Sequence, residues 1–198
     1  FLSPKPAYEE KKQEDLSTFQ RIGEGIRYVF QNKIILSAIT LDLFAVLFGG
    51  ATAILPAFAS EILHVGAIEL GWLRAAPSVG SAILLFLLSL WPPESKSGIK
   101  LLLSVAGFGL CMIAFSLSTH LWLSIFFLFA SGAFDAVSVV IRSTILQIYT
   151  PDHMRGRVSA VNTMFVGSSN EIGAFESGSA ARLLGTAPSV LIGGSITL

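Results

Sequence analysis

The sequence predicts an all-α fold, a polytopic bundle of transmembrane helices, and three observations carry that prediction. Hydrophobic residues make up 53% of the 198 and charged residues only 13%, about half the charged share of a soluble domain. Mean hydropathy is +0.71. The apolar residues fall into runs near the ~20 that a helix needs to cross the hydrocarbon core. The expected division is a cytoplasmic stretch over residues 1–33 and a transmembrane bundle over residues 34–198. A net charge of zero offers no electrostatic footprint for nucleic acid, so the lipid bilayer is the first partner expected.

Each element has its own grounds. Phe1-Leu2-Ser3-Pro4-Lys5 resembles the tail of an apolar helix leaving the membrane, and the last residues, Gly193 to Leu198, fall inside an apolar run. The expectation is a piece of a longer protein. Residues 5–18 form a charged linker. Phe19, Ile22, Ile26, Val29 and Phe30 then recur at helical spacing beside Arg21, Arg27 and Lys33. This is either an amphipathic helix lying on the cytoplasmic surface or a plain juxtamembrane helix. Five apolar segments follow, over about 34–58, 70–91, 99–117, 121–149 and 158–184, and a sixth, truncated, over 188–198. Pro92-Pro93 stops the second segment. Pro151 and Pro188 sit at boundaries, where a missing backbone N–H is tolerated.

Lysine and arginine set the orientation. Ten of the 13 basic residues lie in the N-terminal stretch, the loop after segment two and the loop after segment four. The alternate loops carry none, so the basic side is cytoplasmic, the opening stretch included. The remaining three, Arg74, Arg142 and Arg182, fall within apolar segments.

Seven ionisable residues sit inside the segments: Asp42, Arg74, Asp135, Arg142, Glu171, Glu176 and Arg182. An unpaired charge at the bilayer centre costs at least ~2.5–3.5 kcal/mol, so these should face a bundle interior or a water-filled path. Segments one and two are charged and three is bare; four and five are charged and what remains of six is bare. The repeat suggests two three-helix units, the second inverted because three is odd, as in secondary transporters. At 1.5 Å per residue, Asp42 lies about 12 Å and Arg142 about 10 Å from the cytoplasmic end, so the two can pair. Asp135 and Glu171 fall near the midplane. Glu176, Arg182 and Arg74 lie in the outer half, where a second pairing is possible. Either these charges only hold the bundle together, or a midplane carboxylate, Asp135 or Glu171, carries a proton because burial disfavours its ionised form. Small residues cluster on segments two (Gly71, Ala75, Ser78, Gly80, Ser81) and five (Gly167, Ser168, Ser169, Gly173, Ser177, Gly178), which predicts close helix approach there.

Catalytic and cofactor signatures are missing. His64, His120 and His153 all lie in loops, and the chain has no Gly-x-Ser-x-Gly, His-Glu-x-x-His or phosphate-binding Gly-x-x-x-x-Gly-Lys-Ser/Thr motif. No enzyme activity, cofactor or metal is expected. The single Cys111, in an apolar run, forms no internal disulfide.

Against this reading stand five stretches: Gly25-Ile26-Arg27-Tyr28-Val29, Leu41 to Ala51 (LDLFAVLFGGA), Leu73 to Gly80 (LRAAPSVG), Arg155 to Asn162 (RGRVSAVN) and Asn170 to Gly178 (NEIGAFESG). Together they resemble the C-terminal half of a major facilitator superfamily transporter, nearest to the bacterial enterobactin-exporter-like efflux branch. The resemblance runs from about residue 20 to the end. It implies the six-helix C-terminal half of a twelve-helix fold in a bacterial inner membrane, with the N-terminal half of the same protein as a missing partner. It also implies proton-coupled export of a small-molecule substrate, such as a siderophore or drug, by alternating access. Asp42, Asp135 and Arg142 would then line the cavity, and Arg74, Glu171 and Glu176 the interface between halves. The third helix of each unit would face lipid. The alternatives are a non-transporting membrane scaffold or subunit whose charges are structural, and a channel, which the scattered, unringed charges oppose.

Thr150-Pro151-Asp152-His153-Met154-Arg155-Gly156-Arg157 joins segments four and five. Thr150 or Asp152 could cap the incoming helix, and Gly156 would let backbones approach. The loop is either a charged topological anchor or, through Asp152, Arg155, Gly156 and Arg157, a cytoplasmic gate that latches the two halves.

Overall fold

The computed structural model describes residues 18–49, 52–90 and 97–198. The charged linker up to residue 17 and the Pro92-Pro93 stop lie outside the described residues. Eight α-helices and two single 3-10 turns account for the described regular structure, with no strand among the described residues.

Helix α1 (Thr18–Gln31) and helix α2 (Lys33–Gly49) are separated only by Asn32. Its side-chain oxygen accepts the N–H groups of Ile34 at 3.2 Å and Ile35 at 3.4 Å, satisfying donors that α2 leaves free at its start. The first expected span is described on either side of residues 50–51: α2 to Gly49, then a 3-10 turn over Thr52–Ile54 and α3 over Leu55–Glu61. Pro56 falls in the first turn of α3, where proline is at home. Helix α4 (Ala67–Leu90) begins three residues before the expected boundary. Glu69 in its first turn accepts the N–H of Gly66 at 3.0 Å and complements the positive end of the helix.

Helices α5 (Ser97–Ser116) and α6 (Leu121–Tyr149) follow, then a 3-10 turn at Asp152–Met154, α7 (Arg155–Leu184) and α8 (Thr186–Thr197). The tight passage from α7 to α8 runs through Gly185 at φ 94°, a conformation that favours glycine. Arg155, Gly156 and Arg157 therefore belong to the first turn of α7 and not to a loop. Neither Thr150 nor Asp152 caps that helix: its N-cap is Met154, without a side-chain bond.

Residues 33–61, 67–90, 98–116 and 121–149 form helices long and apolar enough to cross a membrane. The fifth expected span departs from this. Helix α7, with 30 residues, is about 45 Å long. Asn162, Ser168, Asn170, Glu171, Glu176 and Arg182 make it too polar to meet the same test. Helix α8 has 12 residues, about 18 Å.

Part of the packing is related by an exchange. Helix α4 lies along α6, and α2 lies along α7; α5 packs on α6, and α8 on α2; α5 and α8 pack on each other. Swapping α2, α4 and α5 for α6, α7 and α8 maps these five pairings onto one another or themselves, whereas the α7–α8 and α2–α5 contacts have no counterpart of like extent. Glycine supports both long crossings. A Cβ on Gly80 of α4 would strike the Phe129 carbonyl of α6, and one on Gly132 of α6 would strike the Pro77 carbonyl. On the other crossing, a Cβ on Gly173 of α7 would come within 2.9 Å of the Leu47 oxygen of α2. Ser81 completes the first seam by donating to the Gly132 carbonyl at 2.7 Å. The small-residue clusters thus split: Gly80, Ser81 and Gly173 face inward, whereas Gly71, Gly167 and Gly178 meet open space.

Three apolar clusters form the core. One joins α3, α4, α5, α6 and α8 at the end away from Arg155 and includes the stacked pair Phe58–Phe115, with ring centroids 4.4 Å apart. A second, around Val29, Ile35, Leu146, Met154 and Val158, lies at the basic end. The third joins α2, α5 and α6 through Ala38, Leu101, Ile141 and Ile145.

Candidate functional site

Within this apolar core, α2 and α6 carry a buried polar group. Asp42 and Arg142 are 4% and 5% exposed, and a guanidinium nitrogen of Arg142 pairs with a carboxylate oxygen of Asp42. The two elements packed side by side thus deliver the opposite charges that depth alone suggested. Burying either charge unpaired would cost several kcal/mol, so each helix position is set by the other. Ser138, one turn before Arg142 on α6, and Ser104 on α5 are also buried.

Asp135, two turns before Arg142, is half-buried. It lines a cavity of about 270 Å³ between α2, α4, α5, α6 and α7, with Thr52, Ser78, Ser81, Ser131 and Asn170 as polar wall. A narrow crevice of about 10 Å³ is shared by Asp135, Asp42, Ser104 and Ser138. The arrangement is an open, mostly apolar chamber carrying a few polar groups, with a crevice beside it that reaches the buried ion pair.

The other sequence candidates lie elsewhere. Glu171 is exposed on α7, outside the Asp135 chamber, and its neighbour Asn170 lines the wall instead. Helical geometry turns adjacent residues by about 100°, so a shift of one position decides which reaches the chamber. Arg74 and Arg182 are exposed and Glu176 is half-buried; none of the three forms an ion pair among the described residues, so the second expected pairing does not occur there.

At the basic end the structure joins residues that the sequence left apart. Arg157 pairs with Glu24 of α1. The Tyr28 hydroxyl donates to the Tyr149 carbonyl at 2.7 Å, tying α1 to the end of α6. A Cβ on Gly25 would lie 3.0 Å from the Arg157 carbonyl oxygen. Helix α1 therefore docks through Gly25 and buried Val29 on the start of α7, while Ile26 and Phe30 stay exposed. The missed residue is Glu24, and its signal was Gly23-Glu24-Gly25: glycine within a helix costs about 1 kcal/mol against alanine, so it calls for a packing reason. Asp152 and Arg155 pair locally at 3.0 Å, both exposed, and Arg155 also reaches the Gln147 carbonyl at 3.4 Å.

Among the described residues, no group of His, Cys, Asp and Glu is arranged to hold a metal ion. No curated relative and no solved structure matches the chain. The family model of the Major Facilitator Superfamily matches residues 1–175, which include Asp42, Asp135, Arg142 and the whole α1–α7 junction. With that match over most of its length, and with helices of membrane-spanning length and apolarity, the chain belongs to the Major Facilitator Superfamily of membrane transporters.

Proposed function

We propose that this chain is the six-helix C-terminal half of a twelve-helix, proton-coupled exporter that moves a siderophore or drug-like amphipath out of a bacterial cell by alternating access. Residues 1–33 are its cytoplasmic central stretch and residues 34–198 its half-bundle in the inner membrane. The observation that carries the reading is the buried Asp42–Arg142 pair at the foot of the Asp135 chamber. A transporter of this kind needs a polar route into an apolar bundle and a charge whose neutralisation changes helix packing. Protonating Asp42 would release Arg142 and weaken the hold of α2 on α6. The exposed faces of α4 and α7, with Arg74, Glu171 and Glu176, meet the N-terminal half. Asp152, Arg155, Gly156 and Arg157 act at the cytoplasmic gate, steadied by Glu24.

The test uses the full-length protein in proteoliposomes with an imposed pH gradient, against a catecholate siderophore and a cationic amphipathic dye. Wild type moves at least one of them in a gradient-dependent way. Asp135→Asn and Asp42→Asn each reduce that movement to background while still inserting. Gradient-driven transport at wild-type rate in both variants would leave the charges a structural role only.

A further inference from the structure

Two polar side chains near the basic end hold a buried oxygen with no hydrogen-bond partner among the described residues. They are Thr150, 3% exposed, through Oγ1, and half-buried Asn162, through Oδ1. The other side chains with such atoms, Ser138 and Arg142, stand around Asp42. A buried polar atom without a partner is unfavourable, and a ligand can supply what the fold does not. Thr150 follows the last residue of α6 and Asn162 belongs to α7, yet both line one open cavity of about 420 Å³. That volume is within the roughly 300–1,000 Å³ of small-molecule sites.

The cavity has a regular construction. Ser143, Gln147 and Thr150 stand at i, i+4 and i+7 along α6 and its end, and Arg155, Ser159 and Asn162 repeat the spacing on α7. That spacing sets each trio along one side of its helix. The α7 trio begins at the positive end of a 30-residue helix, whose N-cap Met154 makes no side-chain bond. Arg155 is the charged residue of the lining, and no carboxylate lines it. The Arg155 guanidinium meets Asp152 at 3.0 Å, but both are exposed. Exposed pairs are weakly held, so the guanidinium can turn to a competing oxyanion.

We propose that this cavity binds a phosphate ester carrying a free hydroxyl, of the glycerol-phosphate kind. Its phosphate oxygens accept hydrogen bonds from the Arg155 guanidinium and the Thr150 hydroxyl, beside a helix N-terminus. Its hydroxyl donates to Asn162 Oδ1, an acceptor that a fully ionised anion such as sulfate would leave unpaired. The site shares no lining residue with the Asp135 chamber, and its occupant ties the end of α6 to the start of α7. Two sources carry this chemistry: a soluble glycerol phosphate and the headgroup of phosphatidylglycerol. The inference stands apart from the transport reading, because it concerns binding alone.

The test has two arms, both on the full-length protein. In dodecyl maltoside, the thermal midpoint is followed as glycerol 3-phosphate is added at constant ionic strength. From nanodiscs of phosphatidylcholine with a minor share of phosphatidylglycerol, native mass spectrometry counts the phosphatidylglycerol that the protein retains. Wild type is expected to show saturable binding in at least one arm, with no rise in midpoint from sulfate. Thr150→Val keeps the shape and removes the hydroxyl, and should weaken that binding about tenfold, the worth of one hydrogen bond. Arg155→Gln should weaken it at least as much, and Thr150→Ser should keep wild-type affinity. Without ligand, Thr150→Val should melt no lower than wild type, since the hydroxyl it loses is unpaired; weaker binding is then not unfolding. A response to glycerol 3-phosphate alone assigns the free ester, and one to phosphatidylglycerol alone assigns the lipid. Binding of neither probe, an equal response to sulfate, or wild-type affinity in both Thr150→Val and Arg155→Gln would overturn the site.

Discussion

At the residue scale, the Asp42–Arg142 pair makes the sharpest claim on stability. Both side chains are buried. Removing one partner leaves the other charged and uncompensated, a change that typically costs 3–5 kcal/mol. Arg142→Gln and Asp42→Asn should therefore each lower the midpoint of unfolding by sodium dodecyl sulfate in mild detergent, by an amount equivalent to about that range. Replacing both with apolar residues of similar volume should recover most of the loss, because buried pairs and well-packed apolar groups are often of similar worth. Two single variants as stable as wild type would show that the pair is not held in the native state. This pairing was legible in the sequence because depth along a helix is simple arithmetic. The unpaired hydroxyls of Ser138 and Thr150 were not legible: nothing in a one-dimensional string shows which of many hydroxyls is left without a partner. Glu24 was visible only as a charge between two glycines, since its partner Arg157 lies more than a hundred residues away and only tertiary docking brings them together.

At the scale of elements, the clustering of small residues on α4 and α7 was readable, but the division of each cluster between two faces was not. It depends on how each helix is rotated about its axis, which composition does not fix. The structure gives a contrast that can be measured. Gly132 and Gly80 touch backbone across the α4–α6 seam, whereas Gly71 and Gly167 face open space. Gly132→Val and Gly80→Val force the two helices apart; overpacking costs about 1–3 kcal/mol and more where backbone is the obstacle. Gly71→Val and Gly167→Val should leave the thermal midpoint of this half nearly unchanged, since replacing a helical glycine itself removes a local penalty. Equal losses at all four positions would mean that the seam assignment is wrong. The early start of α7 was not legible for a related reason: apolar runs mark where a helix can lie in lipid, whereas the backbone geometry around Met154 decides where it begins.

At the scale of the whole molecule, the helical class and the membrane setting were legible because they rest on composition summed over many residues. The placement of tryptophan gives the membrane setting a direct test. Trp72 lies in the second turn of α4 and Trp122 in the first turn of α6, helices that start at the end away from the basic loop, and they are 63% and 80% exposed. Indole rings at such positions favour the headgroup boundary, where the ring is apolar and the N–H is wet. In a Trp91→Phe background, which removes the remaining tryptophan, fluorescence should be quenched most by lipids brominated near the headgroup and least by those brominated near the chain end. Iodide added to sealed, oriented vesicles should quench only from the face opposite Arg155 and Arg157. Deepest quenching from the chain ends would move both tryptophans to the bilayer centre, shift α4 and α6 along the membrane normal, and displace Asp135 from the middle depth that the proposed coupling requires.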